Sequence, residues 1–471
     1  MKVEQIYTGC LAQGAYYIVS DKEAVIIDPL REIQPYIERA EKDGVKIKYV
    51  LETHFHADFV SGHVDLAKAT GAKIVFGPNA KPTYEAYIAK DGEELKVGRV
   101  TIKVLHTPGH TMESTTFLLK DEFGKDYAIF TGDTLFIGDV GRPDLAVKSD
   151  LTQEDLAKHL YDSLRNKIMP LADDVIVYPA HGAGSACGKN MSKETFDTLG
   201  HQKASNYALR ADMSKEEFVK AVTDGLMPPP GYFPLNVKMN KEGYDNITDV
   251  LERGTQALSP EAFEAAANET GAIILDTRKA EVFGKGFVPN SINIGIDGNF
   301  APWVGALIKD IKQPILIIAE EGREQEVVTR LARVGYDHAI GYLKGGFDAW
   351  KNAGKEFDAV KMVDVNTFAT IVDKHPETPI LDVRKKSEYL SEHILSAENL
   401  PLDFINDNFT QIDKNKTYYV HCAGGYRSMI FISILKARGY DNLIDVNGGF
   451  KAIKDSGKIK VSDYVCPSTM L

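Results

Sequence analysis

Apolar runs in the first half of this chain end repeatedly in histidine or aspartate. From Tyr16 to about Val177, the runs AYYIVSD, EAVIIDP, IKYVLETHFH, AKIVFG, VTIKVLHTPGH, STTFLLKD, YAIFTGDTL and DVIVYPAHG read as strands. Stretches with helical character at 34–43, 62–70 and 153–169 interrupt them. Many strands broken by helices, with polar residues gathered at strand ends, predict two sheets flanked by helices and a site on one rim. Thr53-His54-Phe55-His56-Ala57-Asp58 closes one run, His110 lies in HTPGHT, Asp133 in FTGDT and His181 in PAHGAG. Imidazoles and carboxylates carried on the ends of different strands can converge on one transition-metal ion. For His56, Asp58 and His181 the competing reading is a hydrogen bond to a ligand rather than a bond to the metal.

The chain has 471 residues, which at about 150 residues per domain predicts roughly three domains. Residues 227–240, MPPPGYFPLNVKMN, break the strand pattern and read as a semi-rigid, extended linker packed on the first domain through Tyr232 and Phe233. Behind it stands an internal repeat. AIILDTRKAEVFGKGFVPNSINI around Asp276 matches PILDVRKKSEYLSEHILSAENLP around Asp382, and RVGYDHAIGYLKGGFDAW matches ARGYDNLIDVNGGFKAI. Each copy predicts an α/β domain with a parallel sheet, whose chemistry belongs in the loop after its second strand. The boundaries expected are 1–245 for the first domain, then 255–355 and 361–460 for the copies.

At that loop the copies diverge. The second has Cys422-Ala-Gly-Gly-Tyr-Arg427 before a helix, while the first has Ala319-Glu320-Glu321-Gly322-Arg323. Backbone N–H groups of a glycine-rich loop, a helix N-terminus and Arg427 would together stabilise a thiolate or persulfide on Cys422. A short gap brings Glu320 opposite Cys422, so the first copy is expected to be catalytically silent, a spacer or an oligomer surface. Arg384 and Glu388 are spaced for a structural ion pair.

Charge and cysteine usage narrow the partners. Lys+Arg 55 against Asp+Glu 67 gives a formal charge of −12, which disfavours nucleic acid and anionic membranes as partners. No apolar run approaches the roughly 20 residues of a membrane span, and the start MKVEQIYTGCLAQG has no signal-peptide pattern. Cys187, Cys422 and Cys466 lie far apart, which suits reduced thiols in a cytoplasmic protein.

The histidine and aspartate elements resemble the metallo-β-lactamase superfamily, whose motif is His-x-His-x-Asp-His with a later His, Asp and His. Phe59 stands at the sixth position, so a second metal ion would lose one ligand. His63 could replace it only if the loop were rebuilt. Within that superfamily the chain is similar to the persulfide dioxygenases fused to rhodanese domains, through LAQGAYYIV, IIDPLRE, ETHFHADFVSGH, LHTPGHTMES, FTGDTLFIGDVGRPDL, HGAGSACGK and the two copies. The resemblance implies an αββα sandwich followed by two rhodanese-like α/β domains with parallel sheets. It implies one Fe(II) per chain held by His54, His110 and Asp133, with His56, Asp58 and His181 around them. It implies a low-molecular-weight thiol persulfide, O₂ and sulfite as reaction partners, Cys422 as sulfur-transfer nucleophile, and a homodimer or homotetramer. Arg142 is the arginine it sets beside the substrate, with a structural pair to Asp144 or Asp139 as the alternative. Cys187 is either a sulfur relay or a passive small side chain. A binuclear zinc thioester hydrolase of the glyoxalase II type and a non-catalytic persulfide carrier or sensor are the rival functions.

Overall fold

A computed structural model of the chain describes residues 1–147 and 150–466. It divides into two compact units, Met1–Ile247 with Ala332–Gly335, and the rest of the chain from Thr248. No helix among the described residues is long and apolar enough to cross a membrane.

In the first unit two six-stranded sheets pack face to face. One runs in chain order through Lys2–Thr8, Gln13–Ser20, Glu23–Ile27, Lys46–Glu52, Lys73–Phe76 and Tyr87–Ile88. The other runs through Glu94–Val97, Val100–His106, Thr115–Lys120, Asp126–Gly132, Ile176–Pro179 and Asp197–Thr198. Side chains alternate across each strand, so one sequence can feed two cores. Ile18, Ile27, Leu51 and Val75 of the first sheet meet Ile102, Val104, Phe117, Leu119 and Phe130 of the second. The residues between them, Leu105, Leu118 and Ile129, point outward and meet Ala157 and Leu160 of the helix Gln153–Ser163 and Phe218 of the helix Lys215–Thr223. Tyr36 and Ala40 of the helix Gln34–Asp43 cover the outer face of the first sheet. The result is the αββα sandwich that the strand pattern predicts.

The segment 227–240 differs from the extended linker expected of it. Phe233–Glu242 is a helix, with Tyr232 and Phe233 buried. Pro234 sits in its first turn, where a missing N–H leaves no hydrogen bond unmade, so the proline starts the helix instead of preventing it.

The second unit holds two five-stranded sheets of equal topology. The first has the order Ala257–Leu258, Ala339–Leu343, Ile315–Ile318, Ile273–Asp276, Ile292–Asn293. The second has Lys361–Val363, Leu443–Val446, Tyr418–His421, Ile380–Asp382, Ala397–Asn399. All their pairings are parallel. The repeat reaches individual hydrogen bonds. Asn293 Nδ2 donates to the carbonyls of Asp276 and Arg278 at 3.0 and 2.9 Å, and Asn399 Nδ2 to those of Asp382 and Arg384, both at 2.9 Å.

Candidate functional site

Four strand exits build one buried centre in the first unit. Lys46–Glu52 runs into the segment carrying His54, His56 and Asp58, Val100–His106 leads to His110, Asp126–Gly132 to Asp133, and Ile176–Pro179 to His181. The last two strands pair in parallel, which brings Asp133 and His181 out on the same edge. Gly132 ends its strand at φ +53°, and a Cβ there would lie 2.5 Å from Thr53 Oγ1. Only glycine fits this close approach.

His54 Nε2 and His110 Nε2 lie 3.8 and 3.4 Å from Asp133 Oδ2, an oxygen that is buried and accepts no hydrogen bond. The Thr53 hydroxyl donates its single proton to Asp28 Oδ2 at 2.8 Å and so accepts from His54 Nδ1 at 3.0 Å. His110 Nδ1 can only donate to its partner, the carbonyl of Arg142 at 2.9 Å. Both imidazoles therefore aim an Nε2 lone pair at an unpartnered carboxylate oxygen. Three electron-pair donors meeting with no proton between them call for a cation, and two nitrogens with one oxygen suit a first-row divalent metal. Burial, with the neighbouring His56, holds His54 well below its ordinary pKa and so in the neutral form that ligates.

The remaining residues surround this set. His181 Nδ1 lies 2.7 Å from Asp133 Oδ1 and its Nε2 2.8 Å from Asp58 Oδ2. Burial opposes its protonation, but the Asp133 and Asp58 carboxylates outweigh it and raise the pKa. His56 turns its Nε2 to Asp28, 3.1 Å away, and Glu52, 3.7 Å away. Phe59 is fully buried with its ring 4.3 Å from that of His56. His63, the residue considered as a replacement for the missing ligand, instead hydrogen-bonds Tyr84 at 2.6 Å and is held neutral by burial, its pKa pushed down to about 3.

Asn240, from the helix Phe233–Glu242, is a contributor that sequence reasoning missed. Its Nδ2 donates to the carbonyls of His56 and Phe59, both at 2.8 Å, and its Oδ1 accepts from the Ser61 N–H at 2.8 Å. The ligand-bearing segment is thereby fixed by a residue about 180 positions away. No local signal marks it.

Arg142 ties several segments together. Its Nε and Nη2 donate to Asp144 at 2.6 and 2.7 Å, and Nη1 to the Ala186 carbonyl at 3.3 Å. Its backbone N–H donates to the Cys187 carbonyl at 2.9 Å, while its own carbonyl receives His110. Of the two aspartates considered as partners, Asp144 is the one bound. Cys187 is 1% exposed and lies with Asp58 and His181 in a group whose candidate ligand atoms fall within 4.8 Å. Burial, then Asp58 and Asp133, push its thiol well up, which favours the passive side chain over the sulfur relay.

In the second unit Cys422 follows the strand Tyr418–His421, and its Sγ receives the Gly425 N–H at 3.1 Å. Arg427, in the first turn of the next helix, pairs with Glu388 through two bonds of 2.6 and 2.9 Å. Glu388 therefore does not pair with Arg384, whose guanidinium grips Asp382 instead. The first copy also needs a correction. Asp276 pairs with Ile318 and Asp382 with His421, so Ala319, not Glu320, stands where Cys422 does. Neither residue offers a thiol.

Comparison with known proteins agrees with this architecture. The Metallo-beta-lactamase superfamily matches residues 8–181, and the Rhodanese-like domain matches 259–353 and 365–456. The human mitochondrial persulfide dioxygenase ETHE1 is 31% identical over 229 residues, covering 48% of this chain and 82% of that protein. The hydroxyacylglutathione hydrolase GloC of Haemophilus influenzae is also 31% identical over 229 residues, covering 44% of this chain and 97% of that protein. A metallo-beta-lactamase structure from Staphylococcus aureus is 31% identical with a TM-score of 0.64, covering 73% of this chain and 98% of that one. A buried histidine and aspartate centre on an αββα rim, followed by two equivalent parallel-sheet domains, makes this chain a member of the metallo-beta-lactamase superfamily joined to tandem rhodanese-like domains.

Proposed function

We propose that the chain is an Fe(II)-dependent persulfide dioxygenase coupled to rhodanese sulfur transfer, with one iron per chain. The observation that carries this reading is the set His54, His110 and Asp133, whose electron pairs converge beside a fully buried Phe59. Phenylalanine cannot ligate, so a second hydrolytic ion beside Asp58 and His181 would lose the histidine that the binuclear motif supplies, and the buried Cys187 thiol stands near them instead. Iron held by His54, His110 and Asp133 would supply the redox chemistry between dioxygen and a sulfur ligand. The protein's residues hold that set in place. Thr53 and the Arg142 carbonyl fix the two imidazole tautomers, and His181 fixes the Asp133 carboxylate.

The net oxidation consumes a thiol persulfide, one O₂ and one water, and yields the thiol, sulfite and two protons. The sulfane sulfur gives four electrons to dioxygen. At Cys422 the thiolate attacks the outer sulfur of a second persulfide. The S–S bond to the thiol breaks, the thiol leaves as thiolate, and Cys422 carries the sulfur as a persulfide. Sulfite then takes that sulfur as thiosulfate, restoring the thiolate. Arg427 supplies positive charge beside the loop, and Arg142 is assigned to the substrate side of the iron centre.

We assign oxidation to residues 1–245, a silent rhodanese-like domain to 255–355 and the active one to 361–460. Cytoplasm is the compartment we assign, because Cys187, Cys422 and Cys466 are few and far apart in the sequence, as suits reduced thiols. Metal analysis with an oxygen electrode tests the reading. The purified protein should hold close to one iron and consume O₂ only with persulfide present, and His110→Ala should lose both properties. Two zinc ions, thioester hydrolysis and no O₂ uptake would instead establish the hydrolase that GloC exemplifies.

A further inference from the structure

The helix Tyr426–Lys436 is buried along Ser428–Leu435 on all its faces. One of its neighbours is the silent copy. The Asn293 N–H of that copy donates to Ser433 Oγ at 2.9 Å. At the start of the same helix the Tyr426 hydroxyl donates to the Gly295 carbonyl at 2.7 Å. Its ring covers Gly298 so closely that a Cβ there would lie 2.4 Å from ring carbons.

The segment 295–298 is itself held by the first copy's thiol-less loop and the helix after it. Arg323 Nη1 pairs with Asp297 at 2.8 Å, and its Nε donates to Glu326 at 2.8 Å. Arg330 donates to the Ile296 carbonyl and pairs with Glu326, both at 2.6 Å. The loop that lacks a nucleophile thus braces the surface on which Tyr426 rests. Tyr426 directly follows Gly425, whose N–H points at the Cys422 sulfur.

We propose that the silent copy is a dock for the Cys422 loop and that Tyr426 is its positioning residue. Anchored on Gly295 and Gly298, Tyr426 fixes the Gly425 amide where it can stabilise negative charge on the sulfur that Cys422 carries. The proposal rests on the reading of Cys422 as the sulfur-transfer nucleophile. A loosened amide should slow formation and discharge of the persulfide without altering donor binding, because Tyr426 faces the first copy rather than the donor.

The test uses the full-length protein with thiosulfate as donor and cyanide as acceptor. Sulfur moves from thiosulfate to Cys422, releasing sulfite, and from Cys422 to cyanide, releasing thiocyanate. Tyr426→Phe removes one hydrogen bond and should lower kcat by about fivefold to tenfold with KM unchanged. Gly298→Ala, placed in the other copy, should do the same with Tyr426 intact. The double variant should be no slower than the slower single one, since both act through one contact. Asp297→Asn weakens the dock without crowding it and serves if Gly298→Ala does not fold. Parent kcat in Tyr426→Phe and in the first-copy variant would overturn the dock, as would losses confined to KM. Cys422→Ser separates the two claims. If it still transfers sulfur, the nucleophile is misassigned, and if it is inactive while Tyr426→Phe is unaffected, only the dock fails.

Discussion

Asp133 and Asp445 are both buried carboxyl groups, and their surroundings send them in opposite directions. Burial works against ionisation of Asp133, but the charge of His181, hydrogen-bonded to its Oδ1, outweighs it and lowers the pKa. That leaves a carboxylate ready to bind a cation. Asp445, on the strand Leu443–Val446, has no cation beside it among the described residues, and burial, only partly offset by the Ser428 hydroxyl, pushes its pKa up to about 6. The folded state then holds a proton that the unfolded chain releases above about pH 4, so this group's contribution to stability falls as pH rises from 4 to 6. Asp445→Asn removes the effect. Its gain in stability should be near zero below pH 4 and level off above pH 6 at about 2 to 3 kcal/mol. Thermal unfolding across that range checks it, and a gain independent of pH would mean that Asp445 is ionised without cost.

Among the elements, the αββα layers were legible because strands buried on both faces read as continuous apolar runs, and their polar ends marked the rim. The first strand, Lys2–Thr8, escaped notice because it is an edge strand with only partly buried side chains. Composition misled at residues 227–240, where several prolines suggested an extended chain but one proline in a first turn began a helix. Local spacing suggested Arg384 for Glu388, yet Arg427, 39 residues away, offers a two-bond fit. Sheet register alone decides between Ala319 and Glu320, because a repeat with a gap does not fix its own alignment. The ligand elements were visible in the sequence, whereas Asn240 depends on tertiary placement of its helix. Asn240→Ala would leave the His56 and Phe59 carbonyls and the Ser61 N–H without that partner. A loss of about 2 to 3 kcal/mol is expected, measured as a lower denaturation midpoint. An unchanged midpoint would show that the helix does not anchor the ligand segment.

Across the whole molecule, two chemistries occupy two compact units of one chain, and the account makes them separable by a single atom. Cys422 is the only cysteine in a loop of rhodanese type, and serine matches its size but is scarcely ionised near neutral pH. The most direct test follows O₂ uptake and products together in Cys422→Ser supplied with a thiol persulfide. Uptake at the parent rate is expected, with the product shifted from thiosulfate to sulfite. Undiminished thiosulfate would remove Cys422 from the transfer step, and loss of O₂ uptake would contradict the division of labour between the units.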